Sequence, residues 1–242
     1  EWKSQGTRAV IASGIRADAA IVTEPTGLAI GRAHKGFAWL ELTVHGVAAH
    51  GSAHAIGVDA ITHAALVLAE LDAFQRATLA THAHPLLGPA SLHASTIAGG
   101  SGLSTYPDRC VVHIERRTLP GEAADAPLRE VQDAIARAQR RAPGLRAEVV
   151  EQFAQPPSEV DAGHAVVRAL DAAIRARGDT PRVEGFGYWT DAALFTAAGV
   201  PAVLFGPGDI GLAHSATEWI ALDELERGTQ LLADAIGRFF NA

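Results

Sequence analysis

Phe37-Ala38-Trp39-Leu40-Glu41-Leu42-Thr43-Val44 alternates closely enough to read as a half-buried β-strand, and the segments that follow it decide the fold. A loop from His45 to Gly57 comes next. Residues Val58 to Phe74 then carry apolar side chains at helical spacing, with Ile61, Ala65, Leu68 and Leu71 on one face. Ser91 to Ala98 and Arg109 to Arg117 read as two strands. Gly99-Gly100-Ser101-Gly102 and Tyr106-Pro107-Asp108 supply turn chemistry between them. Pro127 to Arg141 forms an amphipathic helix with Leu128, Val131, Ala134 and Ile135 inward, and Leu145 to Phe153 closes as a strand. This β-α-β-β-α-β order predicts an α+β, ferredoxin-like domain over residues 36–153.

The flanks read differently. Ala19-Ala20-Ile21-Val22 is a short buried strand stopped by Glu24-Pro25-Thr26-Gly27, because Pro lacks the ladder donor and Gly favours a turn. Beyond Pro156-Pro157, a helix spans His164 to Arg177, and Gly185 to Tyr188 leads into a helix at Asp191 to Ala198. Val200 to Phe205 is a buried strand ending in Gly206-Pro207-Gly208, and Leu222 to Phe240 is an amphipathic helix. Such alternation predicts an α/β layer with a mostly parallel sheet. Residues 1–34 and 155–242 thus form one domain interrupted by the first, with too few strands for a complete doubly wound sheet.

Composition narrows the partners. The 242 residues carry a net charge of −7 and no basic run, which argues against nucleic acid. No apolar stretch is long enough to span a bilayer, and the start lacks the signal-peptide pattern. A single cysteine, Cys110, excludes an internal disulfide and fits a reducing, cytoplasmic setting. Methionine is absent and the chain opens on Glu1-Trp2, so the expectation is a piece of a longer protein.

Two positions have the form of metal ligands. Glu24 follows one buried strand, and His214 follows the Gly206-Pro207-Gly208 loop after another. Carboxylate oxygen and imidazole nitrogen are standard zinc donors, and strand tips are where open α/β sheets bind ligands. The plainer readings stay open: a turn carboxylate for Glu24, and a surface residue for His214, one of 11 histidines.

Six segments, in order, resemble the M20 peptidase family, which includes acetylornithine deacetylase and succinyl-diaminopimelate desuccinylase. They are Asp18 to Thr26; His45-Gly46-Val47-Ala48-Ala49-His50-Gly51-Ser52 with Gly57-Val58-Asp59-Ala60-Ile61; and Gly99-Gly100 through Cys110. The others are Glu115-Arg116-Arg117-Thr118-Leu119-Pro120-Gly121-Glu122; Thr190-Asp191-Ala192; and Phe205-Gly206-Pro207-Gly208 with Ala213-His214-Ser215-Ala216-Thr217-Glu218.

The resemblance implies an amide hydrolase with two zinc ions, or cobalt or manganese in their place. Glu24 would bind one ion and His214 the other. The 36–153 domain would be a lid and the dimerisation domain of a homodimer. His50 in that lid would donate to the oxyanion in the partner's site. Its other reading is a loop histidine capping the next helix.

Arg117 would hold a substrate carboxylate with its planar fork, or else form a strand-end ion pair with Glu115 or Glu122. Gly206 and Gly208 would let backbone approach substrate, or simply make a turn. Asp191 has the form of a helix start, and Glu218 of a structural residue or one that orients His214. Substrates would be small N-acyl amino acids or peptides.

Two departures stand out. Ser104 occupies the position where family members often carry a substrate-holding Asn. The family's opening motifs, a His-x-Asp pair, a bridging Asp and a Glu-Glu with the general base, do not occur in residues 1–23. The expectation is that this chain cannot catalyse the reaction alone.

Overall fold

A computed structural model describes residues 3–241, so the Glu1-Trp2 opening lies outside the described residues. The elements in order are α1 (Gln5–Ala12), β1 (Ala20–Val22), β2 (Ile30–His34), β3 (Gly36–His45), α2 (Ala60–Ala77), β4 (Ala83–His84) and β5 (Gly88–Pro89). They continue with β6 (Ser91–Gly99), β7 (Arg109–Thr118), α3 (Ala126–Arg141), β8 (Arg146–Gln155) and β9 (Ser158–Glu159). The last are α4 (Ala165–Ala176), β10 (Val183–Phe186), α5 (Ala192–Ala197), β11 (Ala202–Leu204) and α6 (Leu222–Phe240). Residues 36–156 form one compact unit, and residues 3–35 with 157–241 form the other.

In the 36–156 unit the main sheet runs β6-β7-β3-β8 with every pairing antiparallel. Alternate side chains of β3 and β7 face the helices. Leu40 pairs with Ile114, Leu42 with Val112 and Val44 with Cys110. These pack against Ala60, Ala64, Val67 and Leu71 of α2 and Val131, Ala134, Ile135 and Ala138 of α3. The inward face of α2 keeps the expected Leu71 but is otherwise one residue off the expected one. Ile61 is 41% exposed and Ala65 is exposed, while Leu68 is only half-buried. The alanines at 60 and 64 let the helix backbone approach the sheet where the bulkier Ile61 would hold it off. Asp59 caps this helix, accepting from the Thr62 amide at 2.9 Å. The expected strand at 91–98 is β6, and most of its residues are exposed because it is an edge strand.

The second unit holds a mixed sheet in the order β1-β11-β2-β10, with β9 beside β2. β1/β11 and β2/β10 pair in parallel over three and four residue pairs. The antiparallel contacts cover only one pair (Leu204 with Gly31) and two pairs (β2 with β9), so most of the ladder is parallel. Helices α4 and α6 cover one face through Val166, Leu170, Leu231 and Ala235 against Ile30, Val203 and Phe205. Helix α5 covers the other, with Ala192 against Phe186, Ala202 and Leu204. The Ala19–Val22 strand is half-buried rather than buried, because β1 lies at the sheet edge. Among the described residues no helix is long and apolar enough to cross a membrane.

The central strand β2 carries a buried histidine. His34 is nearly inaccessible, and its Nδ1–H donates to the Lys35 carbonyl at 3.0 Å. Burial pulls its pKa down to about 4, against a smaller upward pull from that hydrogen bond. The unfolded chain protonates this ring near 6.5, so between those values the unfolded state binds a proton that the native state refuses. The contribution to stability is complete above pH 6.5 and is lost as pH falls toward 4. The loss is about 3 kcal/mol. Denaturant unfolding from pH 7.5 to 4.5 should show this slope, and His34→Gln should flatten it. An unchanged slope would remove His34 as the cause.

Candidate functional site

The parallel pairing of β1 with β11 brings their C-terminal tips to one edge of the sheet. Glu24 lies two residues past β1, half-buried, with its amide on the Val22 carbonyl at 2.9 Å. The chain then turns through Gly27 and Leu28, both left-handed at φ 56° and 59°. Thr26 is buried. Its hydroxyl donates to the Ala29 carbonyl at 2.8 Å and accepts from the Gly206 amide at 3.1 Å. The Gly206 carbonyl in turn accepts from the amides of Thr26 (3.2 Å) and Leu28 (3.0 Å), and the Gly208 carbonyl from Gly27 (2.8 Å). The two loops are thus laced together.

Gly206 is required there, since a Cβ would lie 2.5 Å from the Glu24 carbonyl oxygen and 3.0 Å from the Thr23 carbonyl carbon. Gly208 has φ 96°, and its amide donates to Glu224 Oε1 at 3.1 Å. The loop continues through Asp209, which bridges back to Thr26, to a short 3-10 turn at Ile210–Leu212 and then to His214. His214 is exposed and left-handed (φ 61°), and its amide donates to Glu218 Oε2 at 3.0 Å. Glu218 therefore fixes the backbone of His214 rather than its ring. Left-handed backbone at Leu28 and His214 is strain concentrated in the two loops of this edge.

Sequence reading missed Tyr188. Its ring packs at a tilt against Phe186 with centroids 5.2 Å apart, and its hydroxyl is buried with no hydrogen-bond partner among the described residues. Burial first, then the carboxylates of Glu24 and Glu184, push its pKa up. The phenol therefore keeps its proton and presents a donor within the field of Glu24. The only advance signal was an aromatic residue at a strand end just before Thr190-Asp191. Asp191 stands at the start of α5, and its carboxylate takes a hydrogen bond from the Thr7 hydroxyl.

A carboxylate and an imidazole are donors of the right chemistry for zinc. Among the described residues, no group of three or more His, Cys, Asp or Glu could hold a metal. Glu24 and His214 are of donor types that suit zinc, and further donors would be needed to make a complete site.

In the 36–156 unit the loop after β3 is pinned at Gly46. Its amide donates to the Asp108 carbonyl at 2.7 Å, and a Cβ would lie 2.2 Å from Val58 O and 2.4 Å from Pro107 O. His50 pairs with Thr105 in an isolated bridge, Gly51 N donates to Ser104 O at 2.7 Å, and Tyr106 N to Ala49 O at 2.8 Å. His50 and Ser104 are thus brought together on adjoining loops, both exposed. The His50 Nδ1 lies 2.9 Å from Ser52 Oγ and 3.3 Å from Ser52 N.

Arg117 is not brought to them within this unit. Arg109 pairs with His45 at the loop end of β7 and Arg117 pairs with Phe37 at the other, roughly 26 Å away along the strand. Its Nε is 2.5 Å from Glu115 Oε1, and its guanidinium lies 5.4 Å above the Phe37 ring. The buried arginine of this signature is Arg116, 1% exposed, held by Glu130 at 2.8 and 3.0 Å and by Glu122 at 3.2 Å. Its fully paired guanidinium anchors the end of β7 to α3.

Residues 32–143 match the peptidase dimerisation domain of the M20 peptidases. The chain is 30% identical over 237 residues to an acetylornithine deacetylase from Myxococcus xanthus, a match covering 97% of this chain and 61% of that protein. It is 27% identical over 255 residues to an N-formyl-4-amino-5-aminomethyl-2-methylpyrimidine deformylase from Bacillus subtilis, covering 96% of this chain and 60% of that protein. The crystal structure of the aminopeptidase PepT from Bacillus cereus superposes with a TM-score of 0.81 at 22% identity, over 97% of this chain and 60% of that one. The chain therefore spans about three-fifths of the length of the relatives it matches.

Proposed function

We propose that this chain is part of an M20-family hydrolase, a reading supported by the match of residues 32–143 to the peptidase dimerisation domain and by its likeness to an acetylornithine deacetylase. The chain is the metal-binding and dimerising part of an amide hydrolase that removes acyl groups from small N-acyl amino acids. Two relatives named as a deacetylase and a deformylase support the deacylase reading over cleavage of peptides. The single observation that supports this reading is the lacing of the 24–28 turn, which follows Glu24, to the 206–208 loop, from which the chain runs on to His214.

Glu24 and His214 would hold one zinc ion each. Bound zinc supplies Lewis acidity toward an amide carbonyl and a hydroxide at neutral pH. The remaining ligands and the proton-accepting base lie outside these residues, so the 242 residues alone do not turn over substrate. Tyr188, protonated beside Glu24, donates a hydrogen bond to an oxygen of the bound substrate. The Gly206 and Gly208 backbone lets substrate pass close to the main chain.

His50 donates its Nε2–H to the oxyanion as the carbonyl carbon becomes tetrahedral. It does so in the site of a second copy, because the unit that carries it is the dimerising one. Exposed Val47, Ile56, Ile61, Ile97 and Leu103 in that unit supply apolar surface for the contact. Arg117 would exchange Glu115 for a substrate carboxylate, and Ser104 would take the place of the usual Asn with one hydroxyl. The buried thiol of Cys110 suits a cytoplasmic setting.

The intact gene product should release free amine from N-acetyl and N-succinyl amino acids. Cleavage confined to unblocked di- and tripeptides would favour the peptidase reading. No turnover of either, with no metal retained, would favour a binding module.

A further inference from the structure

We propose that Ser52 is a positioning residue for His50, fixing the imidazole in the tautomer that carries its proton on Nε2. The proposal rests on the reading of His50 as an oxyanion donor and adds the device that makes it one.

Two groups of Ser52 address the same ring nitrogen. Its backbone amide lies 3.3 Å from His50 Nδ1 and its hydroxyl 2.9 Å from that atom. An amide N–H can only donate, so Nδ1 must present its lone pair. The hydroxyl then also acts as donor to Nδ1, and a neutral ring so engaged holds its proton on Nε2. That N–H is what an oxyanion needs, whereas the opposite tautomer would offer it a lone pair and repel it.

The backbone around the pair is fixed on both sides. Gly51 N is tied to Ser104 O at 2.7 Å, Ala53 N to His50 O at 2.7 Å and Gly57 N to Ala53 O at 3.1 Å. His50 itself is bridged to Thr105. The ring is exposed and gains little orientation from packing, so the two bonds from Ser52 are its restraint.

Long-range proton–nitrogen NMR on the ¹⁵N-histidine-labelled chain reads this directly at pH 8. The His50 signals are identified by their loss in His50→Gln. The expected result is a bare Nδ1 and a protonated Nε2. Ser52→Ala keeps the amide and removes the hydroxyl, and should move the ring toward a mixture of tautomers, with Ser52→Thr restoring the original signals. In the intact gene product Ser52→Ala should lower kcat about fivefold at unchanged KM, the worth of one neutral hydrogen bond felt in the transition state.

A wild-type ring protonated on Nδ1, or a tautomer indifferent to Ser52→Ala, overturns the proposal whatever the activity. Full activity in His50→Ala with the tautomer as described would instead sink the oxyanion role and leave the Ser52 contact standing.

Discussion

Replacing His50 with alanine in the intact gene product lowers kcat by about 100- to 1000-fold, the usual cost of one oxyanion donor. It leaves metal content and melting temperature unchanged. The separation of these effects follows from where the residue sits. His50 is exposed, and among the described residues its side-chain hydrogen bonds are with Ser52. Its loop is held instead by backbone, through Gly46, Val47, Gly51 and Tyr106. Truncation therefore removes a donor without opening a cavity or freeing the loop. The loss should appear in kcat, because the bond forms only as charge develops on the oxygen. Steady-state kinetics beside metal analysis and a thermal melt check all three parts. Activity within a fewfold of wild type would remove His50 from the reaction.

Gly206→Ala should destabilise the chain by about 3 kcal/mol, near the upper end of ordinary overpacking. The new methyl would meet the Glu24 carbonyl oxygen at 2.5 Å and Thr23 backbone atoms at 3.0 and 3.1 Å. Backbone cannot turn away as a flexible side chain can, so the β1 and β11 tips must separate. That separation breaks the bonds from Thr26 and Leu28 to Gly206 and shifts Glu24. Stability and metal affinity thus fall together. Gly237→Ala is the control: it sits inside α6 with nothing within 4 Å of the added carbon, and should stabilise by up to about 1 kcal/mol. Urea melts of the two variants should move in opposite directions. A Gly206→Ala melt within 0.5 kcal/mol (about the scatter of neutral surface changes) would contradict the close packing.

Strong periodicity was legible in advance and weak periodicity was not. α6 runs from Leu222 to Phe240, as its apolar stripe requires, and α3 buries Val131, Ala134 and Ile135 as expected. The long strands and helices of the middle unit follow the expected order, but the short β4 and β5 pair between α2 and β6 was not foreseen. β2 escaped notice because Gly31 and Arg32 interrupt a five-residue run. The structure explains the glycine, since a Cβ there would strike the Phe186 ring at 2.6 Å and Leu204 Cβ at 2.8 Å. α1 escaped because none of its residues is buried and no side chain caps it.

Residue types singled out Glu24 and His214 as candidates through their places after strands. Tyr188 gave only its place at a strand end, because an aromatic side chain gives no sign in sequence of where its hydroxyl will point. The arginine pair shows the same limit. The sequence reading singled out Arg117 and passed over Arg116, and only strand register turns Arg116 inward to Glu130 and leaves Arg117 on the other face with Glu115.

Metal stoichiometry bears most directly on whether this sheet edge is half of a two-ion centre. Elemental analysis of the intact gene product after dialysis should find two zinc-type ions per protomer. Glu24→Gln and His214→Ala should each retain one, and the double variant neither. Two ions retained in both single variants, with both proteins folded, would place the metals elsewhere and contradict the assignment.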